Sequence, residues 1–573
     1  MFSLHDIPFS YRGSWFDVSP VIAEKTYAED LHLVSHQTGM HPVVRFLPWH
    51  DDARADTRVT ATPSRLTWHS DGGRVELAYE NPETIRLRGD GLGLRIEVAA
   101  GVLTPFTGSY LFHDPVAGAH VLTSYETGRR YRITVLTGEI TGLAGVEALG
   151  HGDRHLTLPA GTGWEIAIEE YRTGRPPFRS SLGFDEVAAA AAARFAAFAD
   201  AVAPWRSSRT PAAELAAYVL WSATVDPAGM VNRPAVLMSK HWMDKVWSWD
   251  HCFNALALAA GEPGLSWDQF QLPFDHQDPT GALPDSIAHS EVLHNFVKPP
   301  IHGWALRRLR GQLHLDPEQL SETYKRLAAW TRFWLDQRRV TGHRLPHYQH
   351  GNDSGWDNAT TFDDDRVIET ADLAAFLILQ LRELTSLAGE LGRPADAQEW
   401  ETTADSLRDA LLTELWQDSR FVSAAARTGK LRASSSLLDL MPIVLGDDLP
   451  ADVRAHLATR IEQHLTAHGL ATEPTTSPHY AADGYWRGPI WAPATVLIED
   501  GLRRAGYPAL ADTISDRFRA LCEKSGFAEN FDAETGKGLR DRAYTWTASS
   551  YLILAAAYEQ HPRSGSLTSG RRQ

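Results

Sequence analysis

Cysteine is almost absent. Cys252 and Cys522 are the only two in 573 residues, which excludes a disulfide framework and leaves room for one bridge at most. Lysine is scarce too: eight stand beside 47 arginines, and three of them, Lys240, Lys245 and Lys298, fall in one short stretch. No run of about 18 uninterrupted apolar residues occurs, so no membrane span is expected. The opening MFSLHDIPFSYRGSWF lacks a basic stretch followed by an apolar run, hence no secretory signal and a cytoplasmic location are expected. There is no Walker-type loop or dinucleotide fingerprint, and no cofactor is expected. The formal charge of −17, from 55 basic against 72 acidic residues, makes nucleic acid and anionic membranes poor partners.

Hydrophobic residues reach 43% and charged residues 22%, an ordinary globular balance with enough apolar surface for a large core. Aromatics make up 10%, and 19 of them are Trp. Flat indole faces suit sugar rings, cations and bases, and the acidity of the chain makes bases the least suitable of the three.

The hydrophobic period divides the chain. Up to about residue 182, short alternating segments (Leu66–Trp68, Arg74–Leu77, Thr84–Leu87, Leu94–Val98, Arg132–Leu136, Glu165–Glu170) are split by Gly, Asn and Pro turn signals. They predict an antiparallel β-sandwich over 1–182. An alanine-rich run before Pro204 predicts a linker helix over 183–207. From 208 to 562 about a dozen helices are expected, among them 290–309, 317–338, 369–391, 434–440 and 492–504. They come in pairs without a solenoid repeat, so a closed ring with a pocket lined by its loops is expected. The polar tail 563–573 is expected to be disordered.

Five loops are rich in Trp, Asp, Gly and Pro: Trp247–Asp250, Gly281–Asp285, Asn352–Asn358, Tyr485–Trp491 and Phe527–Asp532. Carboxylate beside aromatic suits a sugar site, because C–H faces stack on indole, hydroxyls bond Asp, Asn or Arg, and bond cleavage needs one carboxylic acid and one carboxylate. Asp357 has Trp356 beside it and Asp353 four residues earlier, and either could raise its pKa; the same loop could equally be a turn or a helix cap. Asp285 competes with Asp357, and Asp532 with Glu529. His343, His347 and His350 come without His-Glu-x-x-His or Cys-x-x-Cys, and no metal is expected. Asp363-Asp-Asp365 reads as a solvated charge run rather than a calcium loop.

Four of these features stand in one order: Lys245-x-Trp247-x-Trp249-Asp250, Ser354-Gly-Trp-Asp357-Asn358, Tyr485–Trp491 and Phe527-x-Glu529-Asn-Phe. Together they resemble glycoside hydrolase family 63 and its bacterial relatives, over roughly residues 205–560. That family includes processing α-glucosidase I and the mannosylglycerate and glucosylglycerate hydrolases. The resemblance implies a mainly α protein, an (α/α)6 barrel with an N-terminal antiparallel β-sandwich. It further implies an inverting, exo-acting hydrolase of a terminal α-linked sugar, glucose first and mannose second, with a small carbohydrate as partner. Asp357 maps to the general acid and Glu529 to the general base. Trp247, Trp249, Asp250, Trp356, Asn358, Trp486, Arg487 and Trp546 map to the sugar-binding wall. Lys298 departs from the family's Gln before Pro-Pro, which suits either an anionic group on the ligand or a structural ion pair. Pro493 and Thr495 stand near where relatives carry Asn. A phosphorylase of similar fold or a non-catalytic carbohydrate-binding protein is the alternative; no basic cluster stands by Glu529 to hold a phosphate.

Overall fold

The computed structural model describes residues 1–560; the tail expected to be disordered, 563–573, lies outside the described residues. Alternating burial along the first part of the chain builds two antiparallel sheets. One is seven-stranded and runs from Phe16–Ala23 through Thr26–Ser35, His41–His50 and Gly93–Val98 to Gly142–Ala144. The other is eight-stranded, from Ser109–Asp114 through Trp164–Tyr171 and Gly73–Asn81 to Arg58–Thr62. Their apolar faces share one core, with Phe46 of the first against Trp68 of the second at 6.2 Å. Every strand expected from the alternation lies inside an observed strand.

Helix α1 (Phe184–Val202) connects this region to the rest. Phe184, Val187 and Ala188 cover Ala78 of the sandwich-like region, while Phe195 meets Tyr218 and Trp221 beyond it. Eleven more helices follow among the described residues: α2 (Ala213–Ala223), α3 (His251–Leu258), α4 (Pro263–Asp275), α5 (His302–Arg310), α6 (Pro317–Arg332), α7 (Ala371–Glu390), α8 (Pro394–Glu414), α9 (Ala451–Gln463), α10 (Ala492–Arg504), α11 (Pro508–Ser525) and α12 (Thr545–Gln560). A 3₁₀ segment, Leu437–Asp448, lies between α8 and α9.

Their contacts close a ring. α3 packs on α5, α5 on α7, α7 on the 3₁₀ segment, that segment on α10, α10 on α12, and α12 back on α3. A second layer covers it, with α4 on α3, α6 and α8 on α7, α9 on the 3₁₀ segment, α11 on α10 and α2 on α12. Connections from inner to outer helices are short (259–262, 311–316, 391–393, 449–450, 505–507), whereas those from outer to inner are long (224–250, 276–301, 333–370, 415–436, 464–491, 526–544). Because a long connection is free to carry irregular backbone and function, one end of the ring receives all the motif-rich loops.

Two expected helices differ. The span 290–309 turns into a short strand, Val292–Leu293, and helix starts only at His302. Pro299 and Pro300 explain this: each lacks an N–H and forces the residue before it out of the α region. The expected 434–440 helix is a 3₁₀ segment that starts at Leu437 and runs through Pro442, where an i→i−4 bond has no donor.

Gly303 shows how tightly the inner ring is drawn. A Cβ there would lie 2.3 Å from the Cα of Gln380 on α7. Gly303→Ala is therefore expected to destabilise by about 1–3 kcal/mol. Gly389→Ala, where a Cβ meets nothing within 4 Å, is expected to stabilise by about 0.5–1 kcal/mol. Urea unfolding of the two variants checks both signs.

Candidate active site

Five of the six inner elements of the ring follow a connection that carries one of the candidate loops. Asp250 precedes α3, Asp285 and Lys298 precede α5, Asp357 precedes α7, the Tyr485–Trp491 run precedes α10, and Glu529 precedes α12. In the ring, α7 and α12 stand three places apart, so Asp357 and Glu529 enter from opposite sides. Tyr485 ties them together. Its phenol lies within electrostatic reach of Glu529, Asp357 and Asp250, and its pKa is held well above the usual value by burial and then by these carboxylates.

Around Asp357 three carboxyls share one ammonium. Lys298 Nζ is 3.0 Å from Asp285 and donates to the Asn352 carbonyl at 2.9 Å; it also faces Asp250 and Asp357. Burial pushes Asp250 up to about 8, with Asp285 and Asp357 adding to the rise and Lys298 opposing it. Asp357 is likewise raised by burial, against the pull of Lys298 and with the help of Asp285. The like charge anticipated from Asp353 thus comes from Asp285. Asp353 is engaged elsewhere, by Arg338 at 2.8 Å and by the N–H groups of Gln349 and Val297.

Glu529 is buried, and burial followed by the neighbouring Asp541 carboxylate pushes it up to about 8; Arg540 and a hydrogen bond from Tyr485 oppose the rise. Its competitor Asp532 caps a turn, accepting from the N–H groups of Glu534 and Thr535.

Indoles line the space between. Trp356 and Trp486 meet at 4.5 Å, Trp486 stacks on Trp491 at 4.0 Å, and Trp546 stands edge-on to both Trp491 and Trp249. Trp356 and Trp486 are only 1% exposed, so their faces are used up on each other, and Trp247 and Tyr485 are the partly open rings. Gly355 makes this wall possible. It sits at φ 72, and a Cβ there would come within 2.6 Å of the Trp249 ring. Asn358 and Arg487 staple two loops: Asn358 accepts from the Trp486 N–H and donates to the Gly484 carbonyl, both at 3.0 Å, while Arg487 donates to the Asn358 carbonyl at 2.7 Å and pairs with Asp363. Asp250 Oδ2 and the Trp546 indole N–H are buried with no hydrogen-bond partner among the described residues, as polar groups facing a ligand are.

Tyr485, Arg540 and Asp541 carried no role in the sequence reading. Tyr485 and Arg540 both have left-handed backbones (φ 64 and 59) and stack on one another at 4.8 Å. Bulky residues hold that conformation only when their surroundings impose it, and such strain gathers at functional sites. Nothing in the residue types signals it. Among the described residues no group of three His, Cys, Asp or Glu is placed to hold a metal. His343 bonds Glu369, and His350 faces Asp357.

With this geometry in hand, the fold as a whole is similar to a bacterial glucoamylase solved with acarbose, at a TM-score of 0.60 and 10% identity over 97% of this chain and 94% of that one. The helical part is similar to a GH63 mannosylglycerate hydrolase from Thermus thermophilus solved with glucose, at a TM-score of 0.53 and 22% identity over 60% of this chain and 99% of that one. At these identities the likeness is one of fold, a helical barrel behind a β-rich region. In sequence, a mannosylglycerate hydrolase of Rubrobacter radiotolerans is 24% identical over 420 residues, 56% of this chain and 92% of the relative. The family profile described as "Mannosylglycerate hydrolase MGH1-like glycoside hydrolase domain" matches residues 243–547, more than half of the chain, and the protein belongs to this GH63-like family of glycoside hydrolases. No described helix is long and apolar enough to cross a membrane.

Removing the shared cation tests the cluster. Lys298→Met leaves the buried Asp285 carboxylate without its cation and is expected to cost about 3–5 kcal/mol. Adding Asp285→Asn is expected to restore part of that loss. A denaturant double-mutant cycle measures both.

Proposed function

We propose that the protein is an inverting, exo-acting hydrolase of a terminal α-linked hexose, glucose before mannose, on a small aglycone such as glycerate. The observation that carries this reading is the pair of carboxyls raised by burial, Asp357 and Glu529, preceding elements three places apart in the ring and both facing Tyr485. An inverting enzyme needs such a pair on opposite faces of the sugar, roughly 6.5–9.5 Å apart so that a water fits between base and anomeric carbon. Asp357, raised by burial and Asp285, protonates the leaving oxygen. Glu529 takes a proton from the attacking water while the Tyr485 hydroxyl fixes its orientation. Asp250, proton-bearing and with one oxygen lacking a protein partner, bonds sugar hydroxyls, and Trp249 and Trp546 shape the floor. The relative solved with glucose and the one named for mannosylglycerate support the choice of sugars. Lys298, already held by Asp285 and Asn352, supports an ion-pair role over one in binding an anionic ligand.

A panel of α-glucosyl and α-mannosyl glycerates and α-linked disaccharides tests the reading. Asp357→Asn and Glu529→Gln are each expected to reduce kcat by about 10²–10⁴-fold with binding retained. Proton NMR should show the β-anomer first, and release should not depend on inorganic phosphate. An α-anomer first, or near-normal turnover in either variant, would remove the assignment.

The pH profile carries a sign. The base must be ionised, so activity falls as pH drops through the Glu529 value, which is pushed up to about 8. The acid must be protonated, so activity also falls as pH rises through the raised Asp357 value. The reactive form carries a proton on Asp357 and none on Glu529, and the apparent values belong to the pair. A bell in kcat/KM whose acid limb lies well above the ordinary carboxylate range is the expected result.

A further inference from the structure

The loop 239–244 is gripped from two sides. On one side stands the sandwich-like region. His36 donates from Nε2 to Asp17 at 2.9 Å and from Nδ1 to Asp244 at 3.3 Å, in a site where the imidazole and Asp17 are fully buried. Lys240 Nζ donates to Ser10 Oγ at 3.0 Å and to the Ser14 carbonyl at 2.6 Å. On the other side stands the Glu529 segment. Ser239 Oγ and His241 Nδ1 both donate to the Asp541 carboxylate, which also accepts the Ala543 N–H at 2.9 Å. The Asp541 carbonyl in turn accepts the Glu529 N–H at 2.7 Å. Beyond residue 244 the same loop runs on into Trp247, Trp249 and Asp250.

We propose that Asp541 is a positioning residue for Glu529 and that the N-terminal β-region sets its place through the 239–244 loop, which makes Asp17 and His36 part of the hydrolytic apparatus. This rests on the reading of Glu529 as the base. The family match begins only at residue 243, so the N-terminal side of the clamp lies outside it. The charges along this chain of contacts fit it. An imidazole bonded through both nitrogens to carboxylates is doubly protonated, and His36 is accordingly pushed up to about 9 by Asp17 and Asp244 against its burial. A charged link of this kind in a dry interface has one favourable geometry. Asp541 is also the nearest like charge to Glu529 and raises it.

The groups facing Glu529 are Asp541, Arg540, Tyr485 and Tyr544. Those facing Asp541 are Ser239, His241, Glu529, Tyr544 and, from the β-region, Tyr27. Asp541→Asn keeps the shape and removes one negative charge. Glu529 then ionises more easily, so the acid limb of kcat/KM is expected to move to lower pH by about one unit, while kcat falls about tenfold through loss of orientation. His36→Gln and Asp244→Asn loosen the clamp from its two ends; each is expected to lower kcat several-fold with KM changed less than twofold. If His36→Gln fails to fold by circular dichroism, Asp244→Asn and Asp541→Asn still decide. An unmoved acid limb in Asp541→Asn, or clamp variants that lose only thermal stability and keep kcat, would overturn the proposal. Glu529→Gln keeps the two questions apart: if it retains turnover, the reading of the base fails, whereas its inactivity beside an unmoved limb in Asp541→Asn sinks the positioning role alone.

Discussion

A carboxyl that holds a proton near neutral pH has to be kept from water, and each carboxyl kept from water needs a cation or donors at hand. The protein answers with fewer cations than carboxyls on both sides of its site. Lys298 stands among Asp250, Asp285 and Asp357. Across the ring, Arg540 faces Glu529, which has Asp541 behind it. Full pairing would hold every carboxyl ionised, and no pairing would make the burial prohibitive. A deficit of cations leaves protons shared among the acids, which is the state acid–base chemistry on a glycosidic bond requires.

The ring supplies the dry surroundings. Its inner helices all start at the loop-bearing end, so their positive ends point toward the carboxyl cluster and favour whatever negative charge develops there. The indole wall excludes solvent, and it closes only because Gly355 lets Trp249 lie against the Ser354–Asp357 loop. Asn358 and Arg487 then fix that loop to the Tyr485–Trp491 run. Several residues first read as sugar contacts thus also hold the site in shape.

How much of this was legible depends on the range of the interaction. Strands in 65–98, helices such as α10 and the break between the two regions follow from local periodicity, and the family resemblance pointed to Asp357 and Glu529. Pro299-Pro300 is a local signal as well, and it is what stops helix over 290–301. What local pattern cannot carry is partnership. Asp353, four residues from Asp357, looks fit to perturb it, and only the fold shows Arg338 neutralising Asp353 and Asp285 standing near instead. The left-handed backbones of Tyr485 and Arg540 are imposed by their neighbours, and Asp541 gains meaning only from Ser239, His241 and Glu529.

The scarcity of lysine becomes intelligible at this level. In a chain so rich in arginine, Lys240 and Lys298 are both buried, and each bonds two acceptors. Lys240 meets a hydroxyl and a carbonyl; Lys298 meets a carboxylate and a carbonyl. A compact ammonium fits such a shell, whereas a planar guanidinium needs acceptors arranged in its own plane and five donors satisfied. Burial also lets a lysine give up its charge, and Lys240 is accordingly brought down to about 7. An arginine there would force a permanent charge into the seam between the sandwich-like region and the ring. The two lysines thus tie loops together from inside, one beside Asp285 and the Asn352 carbonyl and one under the loop that bonds Asp541.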